Sequence, residues 1–565
     1  MALRVGPVSS LAKEALLVAG LILAAPAIVS RLGTMGGVTA AMAYLVLTAA
    51  CWTAIVLAAY QPRAWLRWLW GISLTATGYV LLVYEHASHH FMTYDVFVSM
   101  IYSVSAADEA LAQNGRAFLS AIWQSLVIGL GVAIKPRRIP ALPPRLLAGG
   151  PWLILGALTA MLFVRGGEGG RGLPAGMTGT AYSILALYEE VTRDRSERLP
   201  ATAKPTRDPL VRNIVLMIDE SIAPQYLGIN DARGVPTPLS APPDGVSVQN
   251  FGIAAAIAGC STGVNLTLRH GGTRDNYQTT NSRHAAIWAY AKAAGLHTVY
   301  IDGQRVNGLK GNQVGKHELE NIDRVIQFPD VAVVDRDIAI AHELARQLDD
   351  PTPKFILVNK VGAHFPVHDK FPDRMAKYKP ILPRGGWGSV SDTGSRAGFG
   401  GTPEEWRRYR NSYRNTLLWN VGEFWRVLFS EADLSQTSII YTSDHGQVLH
   451  EDGSPGTTTH CSADPPAEEG AVLLLAVEGK GASGLDWGRW AAANRNRSSH
   501  YMIFPSLLRM MGFAADDIRE NYGPSLLEKS TDPMTFNRLF NARLGRKPEW
   551  RQVEPAKLIR PPESD

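Results

Sequence analysis

Ser438-Ile-Ile-Tyr-Thr-Ser-Asp-His-Gly446 is the stretch on which the reading of this chain turns. Its first six residues read as a buried strand, and a carboxylate and an imidazole, Asp444 and His445, follow at once. Two other runs end in the same way. Asn213-Ile-Val-Leu-Met-Ile-Asp219 leads into Glu220, and Phe355-Ile-Leu-Val-Asn-Lys360 leads into Gly362-Ala363-His364. Short, near-continuous apolar runs are the mark of strands covered on both faces of a parallel sheet. In such a sheet the strand ends gather along one edge, and ligands bind there. A fourth piece, Ser261-Thr262-Gly263, brings hydroxyls. Together the pieces offer carboxylates, imidazoles and a hydroxyl, which are metal ligands plus an oxygen nucleophile.

Around these pieces the second part of the chain alternates strand-like and helix-like segments, which predicts an α/β catalytic domain over 210–545. Strands are expected at 213–219, 297–302, 354–360, 437–443 and 471–477, and helices at 284–295, 335–348, 404–430 and 499–511. Residues 384–401 are rich in Gly and Ser around Trp387 and read as a surface loop. Residues 546–565 form a polar, Pro-containing tail.

The first part of the chain is different. A mean hydropathy of −0.04 over 565 residues averages two unlike halves. Within 1–165, five apolar stretches near 14–33, 36–60, 66–84, 117–135 and 150–165 match the roughly 20 residues that a membrane-spanning helix needs. The loop at 85–116 carries helical periodicity over 95–113, with Phe97, Met100, Ile101, Val104 and Leu111 on the apolar side, as for a helix lying against a bilayer. A linker over 166–209 is expected to hold a flexible Gly-rich start at 165–180 and an amphipathic interfacial helix at Tyr182–Val191.

Arg4, Lys13, Arg63, Arg67, Lys135, Arg137, Arg138 and Arg145 fall on one side of the spans, and only Arg31 and Arg116 on the other. By the positive-inside rule this puts the N-terminus in the cytoplasm and the catalytic domain outside. The net charge of +5 is modest and no Lys/Arg block points to nucleic acid. Cys51 lies in a span, and Cys260 and Cys461 each adjoin a site motif. A disulfide between them and a pair of free thiols are both open.

The order of the pieces is five spans, strand-Asp219-Glu220, Cys260-Ser-Thr-Gly263, Asp302-Gly with the later Lys310-Gly311, Gly362-Ala-His364, Ser443-Asp-His-Gly446 and finally His460. It resembles the membrane-bound phosphoethanolamine transferases of the alkaline phosphatase/sulfatase superfamily, which include lipid A-modifying enzymes. The resemblance implies an N-terminal five-helix transmembrane domain plus an α/β alkaline phosphatase-like periplasmic domain. It makes Glu220, Asp444, His445 and Thr262 zinc ligands and Thr262 also the nucleophile. His364 and His460 would then bind a second zinc, hold the phosphate or protonate the leaving group. Asn307 and Lys310 match donor contacts, and Glu109, with Ser103 and Ser105 nearby, matches the acid that meets the donor's ammonium. Asp219 stands either behind Glu220 or in its place. One Zn2+ is implied, with a second metal ion and Mn2+ as alternatives. The implied reaction takes phosphoethanolamine from phosphatidylethanolamine onto Thr262 and then to lipid A or a surface glycan. The implied setting is a monomer spanning the bacterial inner membrane, with the catalytic domain in the periplasm.

Other readings use the same residues. A phosphoglycerol transferase shares the metal site but has no use for an acid at Glu109. A sulfatase needs a Cys or Ser followed by Pro and Arg, and Cys260-Ser-Thr-Gly-Val264 lacks both. A phosphatase has no need of five spans. A non-catalytic membrane scaffold would not need the full set of metal ligands.

Overall fold

A computed structural model describes residues 8–88, 90–102, 107–137, 139, 141–193, 197–306, 308–309, 312–384, 401–452, 460–461 and 464–558. The chain divides into two compact units, one of Met1–Arg195 with Asn541–Lys547 and one of Ser196–Phe540 with Pro548–Asp565.

The first unit holds α1 (Val8–Gly33), α2 (Val38–Ala59), α3 (Ala64–Ser88), α4 (Tyr94–Tyr102), α5 (Ala107–Ala133), α6 (Pro144–Val164) and α7 (Ala175–Thr192). Five of these, α1, α2, α3, α5 and α6, are long and apolar enough to cross a membrane. Lys13 of α1 is fully buried, and its Nζ donates to the carbonyls of Gly131, Val132 and Ile134 at 2.7, 3.2 and 2.9 Å. A lysine at a helix C-terminus satisfies carbonyls that the helix leaves open.

Two expectations change here. The helix foreseen over 95–113 is two helices, α4 and the start of α5. The apolar side of α4 packs on protein: Phe97 and Tyr94 are buried, with ring centroids 5.6 and 5.4 Å from that of Tyr182 in α7. The stretch foreseen as flexible up to residue 180 is helical from Ala175. Its glycines are close-approach positions: a Cβ on Gly176 would stand 2.7 Å from the Leu74 carbonyl oxygen, and one on Gly179 2.7 Å from that of Thr77. Small residues let helices pack backbone to backbone where no hydrophobic effect drives them together.

The second unit is built on a seven-stranded sheet. Its strands are β1 (Asn213–Asp219), β2 (Val246–Ala255), β3 (His297–Asp302), β4 (Arg324–Gln327), β5 (Lys354–Asn359), β6 (Thr437–Ser443) and β7 (Ala471–Gly479), in the order β2-β7-β6-β1-β5-β3-β4. Strands β6, β1, β5, β3 and β4 run parallel, and β7 and β2 join antiparallel. Along β1, Ile214, Leu216 and Ile218 enter one core and Val215 and Met217 the other. Both faces are therefore covered, which is why β1 reads as an unbroken apolar run.

Register sets up the site. Asp219 lies opposite Ser443, and Ile218 opposite Asn359. The residues that follow, Glu220, Asp444 and Lys360, therefore leave the sheet at one edge. Strands β2 and β4 were not foreseen. The helix foreseen over 404–430 is Pro403–Leu417 and Phe424–Glu431, joined by a wider π turn at Leu418–Glu423. Trp550–Gln552, expected in a polar tail, pairs with Thr535–Asn537 in a two-stranded ribbon.

Lys360 directly follows β5 and is fully buried, its Nζ 2.5 Å from Asp219 Oδ2 and 2.6 Å from the Asn420 carbonyl. Removing one partner of a buried pair strands the other charge. Lys360→Met is expected to destabilise this unit by about 3–5 kcal/mol, read as a fall in the melting temperature of the solubilised protein. An unchanged melting curve would count against the pair.

Candidate metal centre and active site

Glu220 stands one residue past β1, at a turn that Ser221 makes with φ 58°. A non-glycine residue held in the left-handed region marks strain at a functional turn. The turn is fixed by Asp444, whose Oδ1 accepts from the backbone N–H of Ser221 at 3.0 Å and from that of His445 at 2.7 Å. Its other oxygen, Oδ2, is buried without a hydrogen-bond partner and lies 3.6 Å from His445 Nε2. Glu220 Oε1 is 3.3 Å from the same nitrogen. His445 presents its Nδ1 to the Gly446 carbonyl at 2.7 Å, which leaves Nε2 as the lone-pair side. This is the backbone contact that fixes a metal-binding imidazole.

His460 joins the cluster. One ligand atom each from Glu220, His445 and His460 lies within 4.8 Å of the others. The His445 and His460 rings stand 4.0 Å apart between centroids. His364 is next, its ring centroid 5.9 Å from that of His460. Burial holds the His364 and His460 imidazoles below their ordinary pKa, so both stand neutral. Burial first, and then the Glu220 carboxylate, push the Asp444 carboxyl far above its ordinary range. Two buried carboxylates that crowd each other, an orphaned oxygen and lone-pair imidazoles fit a divalent cation such as zinc. Glu220, Asp444, His445 and His460 are the residues that would hold it.

Of the Ser261-Thr262 pair, the hydroxyl at this cluster is that of Ser261. The helix α8 (Ser261–His270) begins directly after Cys260. Ser261 Oγ lies 3.4 and 3.3 Å from the two Glu220 oxygens and 3.3 Å from His445 Nε2. Thr262, expected as ligand and nucleophile, is exposed, and no contact among the described residues brings it to the cluster. The reason is helix phase: one residue along α8 turns the side chain by about 100°. Cys260 and Cys461 form a disulfide across 201 residues, which ties the start of α8 to the residue after His460. Cys260 is thereby committed and free of other chemistry.

Asp219 does not face the cluster. Its Oδ2 accepts from Lys360 Nζ at 2.5 Å and from the Tyr441 hydroxyl at 2.7 Å, so it stands behind Glu220. Gly362 has φ 57°, and a Cβ there would meet Asp219 Oδ1 at 2.4 Å. The first residue of the Gly-Ala-His motif is therefore glycine for close approach. His368 lies beside Asp369, at 3.6 Å. Ser103, Ser105, Asn307, Lys310 and Trp387 lie outside the described residues, as does the side chain of Glu109.

Sequence reasoning missed Gln304 and Ser221. Gln304 Nε2 donates to Glu220 Oε2 at 3.0 Å, and Ser221 Oγ to Glu220 Oε1 at 2.8 Å. Gln304 follows the end of β3 by two residues, so the strand-end argument that found Glu220 reaches it too. A second ligand-type group, His270, His317 and Glu318, is satisfied internally. Glu318 is paired with buried Arg269 at 2.7 Å, and the two imidazole Nε2 atoms are 3.0 Å apart.

Purified protein is expected to carry one zinc equivalent per chain, and Glu220→Gln to weaken its retention about 10–100-fold, measured by elemental analysis after dialysis against graded chelator. Equal retention by wild type and variant would remove Glu220 from the site.

The fold has known counterparts. The integral membrane lipooligosaccharide phosphoethanolamine transferase A (EptA) from Neisseria meningitidis aligns with a TM-score of 0.54 at 17% identity, over 78% of this chain and 84% of that one. The C-terminal periplasmic domain of EcEptC from Escherichia coli gives 0.45 at 16% identity, over 60% of this chain and 93% of that one. The lipoteichoic acid synthase LtaP from Listeria monocytogenes gives 0.38 at 12%, over 63% and 82%. No curated protein matches the chain by sequence. The Sulfatase family matches residues 212–513, more than half of the 565. On this match the chain belongs to the Sulfatase family.

Proposed function

We propose that this protein is an enzyme that transfers phosphoethanolamine from phosphatidylethanolamine to a cell-envelope acceptor, lipid A or a surface glycan, through a covalent intermediate on Ser261. The observation that carries the reading is the Ser261 hydroxyl, 3.3 Å from both Glu220 Oε2 and His445 Nε2 on the first turn of α8. Backbone N–H groups at a helix start favour a phosphate there. The likeness to a lipooligosaccharide phosphoethanolamine transferase, membrane helices included, supports the choice of donor over a soluble phosphate ester.

The Ser261 Oγ–phosphorus bond forms, and the bond from phosphorus to the diacylglycerol oxygen breaks. The hydroxyl proton passes to a neutral imidazole and returns to the leaving oxygen. His364 suits this role: its Nδ1 lies 2.6 Å from the Phe365 carbonyl, which leaves Nε2 to accept. An acceptor hydroxyl oxygen then bonds to the same phosphorus, the Ser261 Oγ–phosphorus bond breaks, and the acceptor's proton passes through the imidazole to Ser261 Oγ. Zinc held by Glu220, Asp444, His445 and His460 would supply Lewis acidity, lowering the pKa of the neighbouring hydroxyl and offsetting charge on the phosphoryl oxygens. A sulfatase reaction does not fit, since Cys260 is in a disulfide and Ser261 is followed by Thr-Gly-Val. The excess of basic residues beside the first spans supports a cytoplasmic N-terminus and a periplasmic catalytic unit in a bacterial inner membrane.

Incubation with headgroup-labelled phosphatidylethanolamine, followed by peptide mass spectrometry, is expected to place phosphoethanolamine on Ser261. Ser261→Ala should lose about 10³-fold or more in transfer while Thr262→Ala stays within about tenfold. Label on Thr262 would move the nucleophile by one residue. Label taken only from phosphatidylglycerol would replace the donor.

A further inference from the structure

The five-span unit contains a crevice of about 450 Å³. Gly20, Leu23, Ala24 and Ala27 of α1 form one wall, and Ile128 of α5 faces them. Gly20 keeps the base open, since a Cβ there would stand 2.8 Å from Ile128 Cγ1. The crevice follows α1 from Gly20 to Ser30. At 1.5 Å per residue that is about 15 Å, half the thickness of a bilayer's hydrocarbon core. Its length is that of one leaflet.

The end at Ser30 is polar. Glu85 and His86, from the last turn of α3, line it together with His90. Glu85 receives a hydrogen bond from the Met92 backbone, and among the described residues no basic side chain pairs with it. The Nε2 of His86 is buried with no hydrogen-bond partner. An ionisable side chain within a span, with no charged protein partner, points to a ligand. A carboxylate calls for a cation, and an unpaired imidazole nitrogen for a hydrogen-bonding neighbour. The wall below is apolar. Past the Gly20 end, Val18 is exposed on α1, so a chain leaving the crevice meets further apolar surface.

We propose that this crevice holds one phospholipid with a primary amine headgroup: its ammonium pairs with Glu85, its phosphate oxygen accepts from His86 Nε2–H, and its acyl chains run along α1 and α5. The assignment rests on the proposed function only in its choice of a lipid of the donor class. The geometry itself stands on the crevice, Glu85 and His86.

The test is native mass spectrometry of the full-length protein, stripped of metal by chelator so that no turnover occurs, in detergent with equal amounts of phosphatidylethanolamine, phosphatidylcholine and phosphatidylglycerol. The expected result is one phosphatidylethanolamine retained per chain in preference to the other two. Glu85→Gln, which keeps shape and loses charge, should reduce that preference about tenfold, the size of one charge-assisted hydrogen bond. Ala27→Trp fills the crevice and should remove the retained lipid at an unchanged melting temperature. Equal retention of the three lipids, an unaltered preference in Glu85→Gln, or full retention in Ala27→Trp would overturn the proposal. The two readings fail separately. Selective retention without headgroup transfer by the metal-loaded wild type sinks the proposed function alone, and transfer without selective retention sinks this one alone.

Discussion

Two buried carboxylates, Glu220 and Asp444, face each other at the end of a parallel sheet, and no Lys or Arg among the described residues reaches them. Buried like charges are strongly unfavourable unless a proton or a cation sits between them. Against the pull of burial, Asp444 and Glu220 raise the pKa of the His445 imidazole to about 10 and keep it protonated without an ion. A divalent cation would displace that proton and take the Nε2 lone pair, with His460 beside it. One imidazolium offsets only one of the two carboxylates, so the site still favours a divalent cation, and the rest of the unit holds the ligands in place.

The frame has a second layer. Lys360, Asp219 and Tyr441 form a satisfied buried group directly behind Glu220. That group neutralises Asp219 and fixes the chain direction from which Glu220 projects. The left-handed turn at Ser221 and the glycine at 362 allow the ends of β1 and β5 to approach closely. The disulfide between Cys260 and Cys461 then couples the start of α8 to the segment that carries His460. Each device removes freedom from a ligand before any ion arrives, which is what preorganisation means for a metal site.

Much of this was legible in the sequence, for physical reasons. Strands β1, β5 and β6 are buried on both faces, so hydrophobicity alone marks them, and the polar residues just beyond them share one edge. Strand β2 was missed because its first half is only partly buried, it carries Gln249 and Asn250, and it breaks register between Asn250 and Ile253, where Gly252 has φ 80°. Strand β4 is four residues with an exposed start. The start of α7 was hidden by glycines that serve close helix packing, where the same letters usually mean a loop. The choice between Ser261 and Thr262 was beyond sequence because it depends on the helix phase at which α8 begins. Gln304 was within reach of the strand-end argument but carries no motif of its own.

The account stands or falls on where the cation sits. Zinc K-edge absorption spectroscopy on the zinc-loaded, full-length protein asks this directly. The account predicts nitrogen and oxygen neighbours alone at about 2.0–2.2 Å, with outer-shell scattering from two imidazoles, and a changed spectrum in His445→Ala. A sulfur neighbour at about 2.3 Å, or a spectrum that His445→Ala leaves untouched, would contradict it.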